Sequence, residues 1–169
     1  RALGQAHWAT EKFYDYFLTT YGRKSYNNNN ALMMSSVENT GTAVDNAKWE
    51  PIFLYTRYFI SGPNGQPNTY WVSNDIVGHE WGHAVTQFAS GLQLLGEPGA
   101  INEAYSDIWG TLFEYYAQGG IGDWTIGEDF YVSGNAFPNY MRSMVNPHIC
   151  GNHNSYNGTF YTTGCNPIA

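Results

Sequence analysis

His79 and His83 lie four residues apart, with Glu80 directly after the first, in the pattern H-E-x-x-H. On a helix, positions four apart share one face, so the two imidazoles can bind one zinc ion. Glu80 then stands about 100° round the helix axis, where it need not be a ligand and can take a proton from an attacking water. A bare match of this kind can also be two solvated or hydrogen-bonded histidines, so the surrounding sequence has to decide.

Glu103 is the candidate for a third ligand, since a catalytic zinc needs three protein ligands and one open position. Asp107 lies one turn beyond it, where a carboxylate can accept the second imidazole N–H of a ligand histidine. The metzincin pattern would place Gly and His three and six residues after His83, but Thr86 and Ala89 occupy those positions. Glu103 is therefore the better third ligand, and the alternative is a pair of solvated surface acids.

Both ligand-bearing segments are predicted to be helices because apolar residues recur in them at helical spacing. The first begins near Ser73 and stops at Gly91, and the second runs from Ala100 to about Ala117. Gly78 and Gly82 are poor helix formers inside the first helix. They predict the close approach of either a substrate or a second helix.

The remaining pattern predicts a helix followed by strands. The helix covers Ala2–Tyr21, the strand candidates are Met33–Val37, Lys48–Tyr55 and Tyr70–Val72, and Ser61–Asn68 is a turn. The chain after Gly119 is mostly loop. These elements predict the α+β class, with a sheet on one side of two functional helices.

The chain is acidic, with a net charge of −7 and seven Lys or Arg residues. We expect no nucleic-acid partner because no basic run or patch is present, and no membrane partner because no apolar stretch approaches the length of a span. Cys150 and Cys165 would close a short loop if paired, which suits an extracellular setting; two free thiols are the alternative. Asn157–Thr159 is a glycosylation triplet that matters only in a eukaryote.

Five segments together resemble the thermolysin family of zinc metallopeptidases. They are the zinc-helix run Asp75–Thr86, the third-ligand run Gly99–Asp107, the substrate-strand run Asp45–Trp49, and the downstream runs Asp123–Asp129 and Met141–Met144. The resemblance implies a zincin-like fold in which an edge strand beside the zinc-ligand helices binds the substrate. It also implies three regions within one compact domain: 1–72 with the N-terminal helix and sheet, 73–118 with the zinc-ligand helices, and 119–169 as a loop-rich calcium-binding segment.

The resemblance implies a role for each matching residue. His79, His83 and Glu103 hold one catalytic zinc, Glu80 is the general base, Asp107 orients His79 and Asn102 orients His83. One or two structural calcium ions would be bound by Asp75, Glu114, Asp123 and Glu128, with the Thr125 carbonyl as a possible addition. Peptide substrate would be held by Asn46 and Ala47 along its backbone, by Arg142 at a carbonyl, and by a pocket of Ile76, Ile126 and Met141.

These roles predict a secreted neutral zinc endopeptidase that prefers bulky hydrophobic residues just after the scissile bond. Leu94 stands where the family has an oxyanion-binding tyrosine, and the family's proton-donating histidine has no counterpart in matching context. We therefore expect the chain to be a piece of a longer enzyme, with the remaining segment as its partner; a trimmed, weak variant is the alternative. A metal-stabilised extracellular binding module without catalysis is the alternative function.

Overall fold

The structure is a computed structural model, and it describes residues 2–38, 46–59, 70–128 and 140–151. Three helices and five strands are present in these ranges: α1 (Ala2–Tyr21), β1 (Met34–Glu38), β2 (Ala47–Glu50), β3 (Tyr55–Phe59), α2 (Asn74–Ala89), α3 (Gly96–Ala117), β4 (Thr125–Ile126) and β5 (Arg142–Ser143), followed by a 3-10 helix at Pro147–Cys150. Several predictions concern residues outside the described ranges, namely the turn at 61–68, the triplet at 157–159, the Cys150–Cys165 pairing, and the matches at Asp45 and Asp129.

The strands form a three-stranded sheet and a separate two-stranded ribbon. The sheet has the order β1-β3-β2, in which β3 pairs parallel with β1 and antiparallel with β2. The ribbon pairs β4 with β5 in antiparallel register. Within the described ranges β2 therefore has one hydrogen-bonded edge, and its other edge runs beside α2.

The predicted single strand Lys48–Tyr55 is wrong, because the chain reverses within it to form the β2–β3 hairpin. Pro51 opens the turn and has no N–H to offer a strand ladder, and Leu54 adopts the left-handed region at φ 60°. The Leu54 N–H bonds the Glu50 carbonyl at 2.8 Å and closes the turn. The predicted strand Tyr70–Val72 is likewise wrong, since only an isolated bridge at Tyr70 is present.

The helices match the predictions more closely. The predicted bounds of α1 are confirmed, and α2 begins directly after Ser73 as expected. The second ligand helix begins earlier than predicted, at Gly96 rather than Ala100, because Pro98 falls in the first turn, where a missing N–H costs nothing.

An aromatic core lies between α1, the sheet and the two ligand helices. Phe13 of α1 packs edge-to-face on Phe113 of α3 with ring centroids 5.4 Å apart. Trp81 of α2 is fully buried, stacks on Tyr26 at 5.6 Å, and lies 5.6 Å from Trp49 of β2. Burying each large apolar side chain contributes about 1.5–3 kcal/mol, so this core fixes α2 against the sheet.

Glycines bring α2 and α3 into backbone contact. A Cβ on Gly78 would lie 2.8 Å from the Phe113 ring and 2.9 Å from the Gly110 Cα, and a Cβ on Gly110 would overlap the carbonyl oxygen of Asp75. A Cβ on Gly82 would lie 3.0 Å from the Ser106 Cα. Of the two roles that the sequence left open for Gly78 and Gly82, the structure therefore supports the approach of a second helix.

Candidate active site

The adjoining faces of α2 and α3 bring three metal-binding side chains together. Nε2 of His79 lies 3.3 Å from Oε2 of Glu103, and Nε2 of His83 lies 3.5 Å from its Oε1. The two imidazole rings stand perpendicular with centroids 4.6 Å apart. A tetrahedral zinc with bonds of about 2.0–2.2 Å separates its ligand atoms by about 3.3–3.5 Å. The spacing of the three donors therefore fits such an ion.

Each ring nitrogen that faces away from this centre has a hydrogen-bond partner. Nδ1 of His79 lies 2.7 Å from Oδ1 of Asp107. The Nε and Nη2 atoms of Arg142 donate to the same carboxylate at 2.8 and 2.7 Å. With Asp107 accepting at Nδ1, the neutral form of His79 carries its lone pair on Nε2, which faces the metal-binding space.

His83 is oriented by an amide whose own direction is fixed. Oδ1 of Asn102 lies 2.8 Å from Nδ1 of His83, while Nδ2 of Asn102 donates to the Leu92 carbonyl at 3.0 Å. The amide nitrogen is thus turned away, and Asn102 accepts the imidazole N–H. Ser106 lies 3.0 Å from the same nitrogen and is fully buried. Its role was missed from the sequence, although its position one turn after Asn102 was the available signal.

Charges around the site set the protonation of its groups. Burial opposes the charged form of His79, but the hydrogen bonds to Asp107 and Glu103 and the neighbouring negative charges together raise its pKa to about 10. Burial and the neighbouring His79 lower the pKa of His83 to about 4. Burial also opposes ionisation of Asp107, yet Arg142 and His79 hold its pKa well below the usual range. The carboxylates of Asp107 and Glu103 beside the imidazoles therefore favour positive charge at this site.

Glu80 lies beside the three donors and is almost completely buried. Burial raises its pKa to about 7, against the opposing charge of His79. A hydrogen bond from the backbone N–H of Trp49 in β2 favours the ionised form. A carboxylate whose pKa lies near neutral pH is suited to accept and return a proton.

The predicted substrate residues Asn46 and Ala47 lie at the start of β2. The backbone carbonyl of Asn46 accepts the Phe59 N–H at 3.1 Å, so this carbonyl faces β3. Because strand residues alternate, the N–H and C=O of Ala47 and Trp49 face the opposite edge, toward α2. On that edge the Trp49 N–H bonds the Glu80 carboxylate.

The predicted pocket residues are close together but differ in exposure. Ile76 and Ile126 belong to the buried core, whereas Met141 is half-buried against it. The Met141 N–H donates to the Ile126 carbonyl at 2.7 Å, directly before Arg142. Met141 is therefore the most accessible of the three, and it directly precedes Arg142 in the chain.

A second acidic group lies at the far end of α3. Oxygen atoms of Glu114, Asp123 and Glu128 all lie within 4.8 Å of one another, so these residues could hold a cation. Asp75 is fully buried nearby and accepts hydrogen bonds from the Ile76 and Gly127 N–H groups. Burial, and then the charge of Asp75, raise the pKa of Glu128 to about 7.

Two family models cover nearly the whole chain. The thermolysin metallopeptidase catalytic domain matches residues 2–87, and the thermolysin metallopeptidase alpha-helical domain matches residues 90–166. The chain belongs to the thermolysin metallopeptidase family. The first model ends at residue 87, in the last turn of α2, and the second begins at residue 90. The two histidines therefore belong to the catalytic domain and Glu103 to the helical domain.

Relatives of this family cover the chain but are much longer. Bacillolysin of Bacillus caldolyticus is 39% identical over 163 residues, which is 96% of this chain and 29% of the relative. Neutral protease B of Bacillus subtilis (strain 168) is 37% identical over 162 residues, again 96% of this chain and 28% of the relative. The chain therefore spans less than a third of the length of these relatives.

A solved structure confirms the mixed α/β fold of a thermolysin-like metalloproteinase. The precursor of protealysin, a metalloproteinase from Serratia proteamaculans, superposes with a TM-score of 0.74 at 28% identity, covering 86% of this chain and 45% of that one. Among the described helices none is long and apolar enough to cross a membrane.

Proposed function

We propose that the protein is a zinc endopeptidase, acting as part of a longer member of the thermolysin metallopeptidase family. The observation that carries this proposal is the convergence of two Nε2 atoms and a carboxylate on one point, with the buried Glu80 beside them. Family membership supports the same conclusion.

Zinc fits the donor set, which consists of one carboxylate and two imidazoles that can coordinate the ion in their neutral form. His79, His83 and Glu103 would hold the ion, and three protein ligands leave one coordination position for solvent or substrate. Bound zinc would polarise the scissile carbonyl and make water acidic enough to attack it near neutral pH.

The chain's own residues supply the proton transfers and the alignment. Glu80 would accept the proton of the attacking water and pass it to the leaving nitrogen, for which a pKa near neutrality is suited. Asp107 and Asn102 would keep His79 and His83 in the metal-binding tautomer. Because both histidines are already held in these orientations, they would need little rearrangement during the reaction.

Substrate would bind as an added strand along the free edge of β2. Asn46 and Ala47 lie at the start of this edge, where the backbone groups of Ala47 can pair with a peptide. Arg142 would contact a substrate carbonyl through Nη1, since Nε and Nη2 are engaged by Asp107. Met141, backed by Ile76 and Ile126, would favour a bulky hydrophobic residue just after the cut.

We further propose that the acidic group holds structural calcium. Glu114, Asp123 and Glu128 supply hard oxygen ligands at one point, Asp75 adds negative charge beside them, and the Thr125 carbonyl is a further candidate. We also propose an extracellular location. The remaining segments of the longer protein would then complete the cleft, and they would supply the histidine role that the histidines of this chain do not match.

The alternative is a non-catalytic, metal-stabilised binding module, which the lack of a hydrogen-bonding group on Leu94 favours. The buried carboxylate of Glu80 argues against it, because a structural zinc site needs no base and is usually closed by a fourth protein ligand.

A peptidase assay on the full-length protein separates the two functions. We expect casein and hydrophobic peptides to be cleaved before bulky apolar residues, with activity abolished by phenanthroline and restored by zinc. A protein that binds one zinc per chain yet cleaves none of these substrates would support the binding module instead.

A further inference from the structure

Gln87 continues the row of side chains on α2 that begins with the two histidine ligands. His79, His83 and Gln87 follow one another at four-residue intervals, so they lie on successive turns of one side of the helix. The first two face Glu103, whereas Gln87 lies beside the β2–β3 hairpin.

Both ends of the Gln87 amide are hydrogen-bonded to the hairpin. Its Oε1 accepts the indole N–H of Trp49 at 2.7 Å, and its Nε2 donates to the carbonyl of Pro51 at 3.2 Å. Trp49 and Pro51 are two residues apart, one inside β2 and one in the turn that ends it. One side chain thus fixes the strand at two points.

The indole of Trp49 is held on its other sides by aromatic packing. Its ring lies 5.4 Å from Tyr26 and 5.6 Å from Trp81, and 5% of the residue is exposed. These ring contacts have little directional preference, and the ladder to β3 fixes only the other edge of the strand. The two hydrogen bonds from Gln87 are directional, and they connect the strand and its turn to α2.

We propose that Gln87 is a positioning residue. It holds β2 at the distance from α2 at which the edge of β2 not paired with β3 can bind a peptide backbone. The inference rests on the proposed function, because it names the residue that sets the geometry of the substrate strand. Glutamine suits the role because it donates and accepts at once, whereas a carboxylate at this position could only accept.

Gln87→Leu in the full-length enzyme tests the role, since leucine is of similar size and can make neither bond. We expect KM for a hexapeptide that spans the cleft to rise about tenfold, as for the loss of one to two neutral hydrogen bonds, while kcat stays within about twofold. Gln87→Glu keeps the acceptor for Trp49 and loses the bond to Pro51, so it should raise KM about threefold.

Two controls separate positioning of the strand from damage to the helix or the metal site. Ser90→Ala removes a hydrogen bond to the Thr86 carbonyl at the same helix end, and it should leave KM unchanged. Inhibition by acetohydroxamate, which binds zinc and has no peptide backbone to place on β2, should be the same in all variants. Equal KM values for Gln87→Leu and Ser90→Ala would overturn the proposal. A loss of acetohydroxamate inhibition in Gln87→Leu as large as its rise in KM would overturn it too.

Amide hydrogen exchange provides a test that does not depend on activity. In Gln87→Leu the amides of residues 47–50 should exchange at least about tenfold faster, with those of α1 unchanged. Unchanged exchange in β2 overturns the positioning role. If the wild-type enzyme cleaves no peptide, the proposed function fails, and the exchange result still decides the role of Gln87.

Discussion

Oδ1 of Asp107 lies 2.7 Å from Nδ1 of His79, on the side of the ring opposite Glu103. Arg142 holds the same carboxylate with two further hydrogen bonds, so Asp107 cannot turn away without losing both. A carboxylate in this position orients the ligand histidine and raises its basicity. The candidate metal site is therefore supported by residues from α3 and β5 as well as by its three proposed ligands.

Asp107→Ala should weaken zinc binding about 10–100-fold, because His79 loses the partner that fixes its tautomer. Competition with a chromophoric chelator would measure the change in affinity. Asp15→Asn, which removes a surface carboxylate on α1 paired with Lys12, is the matched control and should have no effect. Wild-type affinity in Asp107→Ala would contradict the supporting role.

Glu80→Gln should retain zinc and lose activity by about 10²–10⁴-fold, since the amide cannot accept the proton of the attacking water. Zinc content by atomic absorption and peptide cleavage by chromatography would be measured on the same sample. Substantial cleavage by fully zinc-loaded Glu80→Gln would exclude Glu80 as the general base.

Zinc affinity should fall as pH falls, because the ion competes with a proton for His79. The pKa of His79 is raised to about 10, so this imidazole is protonated near neutral pH without zinc, whereas His83, with its pKa lowered to about 4, is neutral there. Zinc uptake then displaces one proton, and the apparent Kd should rise about tenfold for each pH unit lost between about pH 8 and pH 6. A Kd that is independent of pH in that range would be inconsistent with a protonated His79.

Calcium removal should lower the melting temperature, because the crowded carboxylates of Glu114, Asp123 and Glu128 then repel one another. The raised pKa of Glu128, about 7, sets the sign of the pH dependence. Without calcium the folded state binds the Glu128 proton more tightly than the unfolded state, so the contribution of Glu128 to stability should be full below its unfolded pKa and be lost as pH rises through about 7.

The calcium effect can be measured by thermal melting with calcium and with EGTA at pH values on both sides of this range. Asp123→Asn should shrink the difference that calcium makes, and the control Asp15→Asn should preserve it. An unchanged melting temperature in excess EGTA would refute the calcium proposal.

Gly110→Ala should destabilise the fold by about 1–3 kcal/mol, because the added methyl group meets the Asp75 carbonyl and forces α2 and α3 apart. Gly4→Ala is the control, since Gly4 lies in α1 with nothing within 4 Å of its Cβ position. There the better helix propensity of alanine should stabilise by about 0.5–1 kcal/mol. Urea unfolding would measure both, and equal stability of Gly110→Ala and wild type would contradict the close helix crossing.

Much of the site could be predicted from the sequence because its signals are local. The spacing of His79 and His83 is a property of one helix, and α1 and α2 follow from apolar periodicity over many residues. Short strands give a weaker sequence signal, so the turn that begins at Pro51 was included in a single predicted strand. The position of Asp107 one turn after Glu103 predicts its contact with a ligand histidine, whereas only the family resemblance implies roles for Asn102 and Arg142.

The sequence by itself therefore determined the chemistry, namely which donors the chain offers for a metal ion and which carboxylate stands beside them. Only the tertiary structure decided the distances between Glu103 and the histidines, the exposure of Ile76 and Ile126, and the two bonds of Gln87 to the hairpin. These depend on how α2 packs on α3 and on β2. Such packing is fixed by the glycine contacts and the aromatic core, whose members are far apart along the chain.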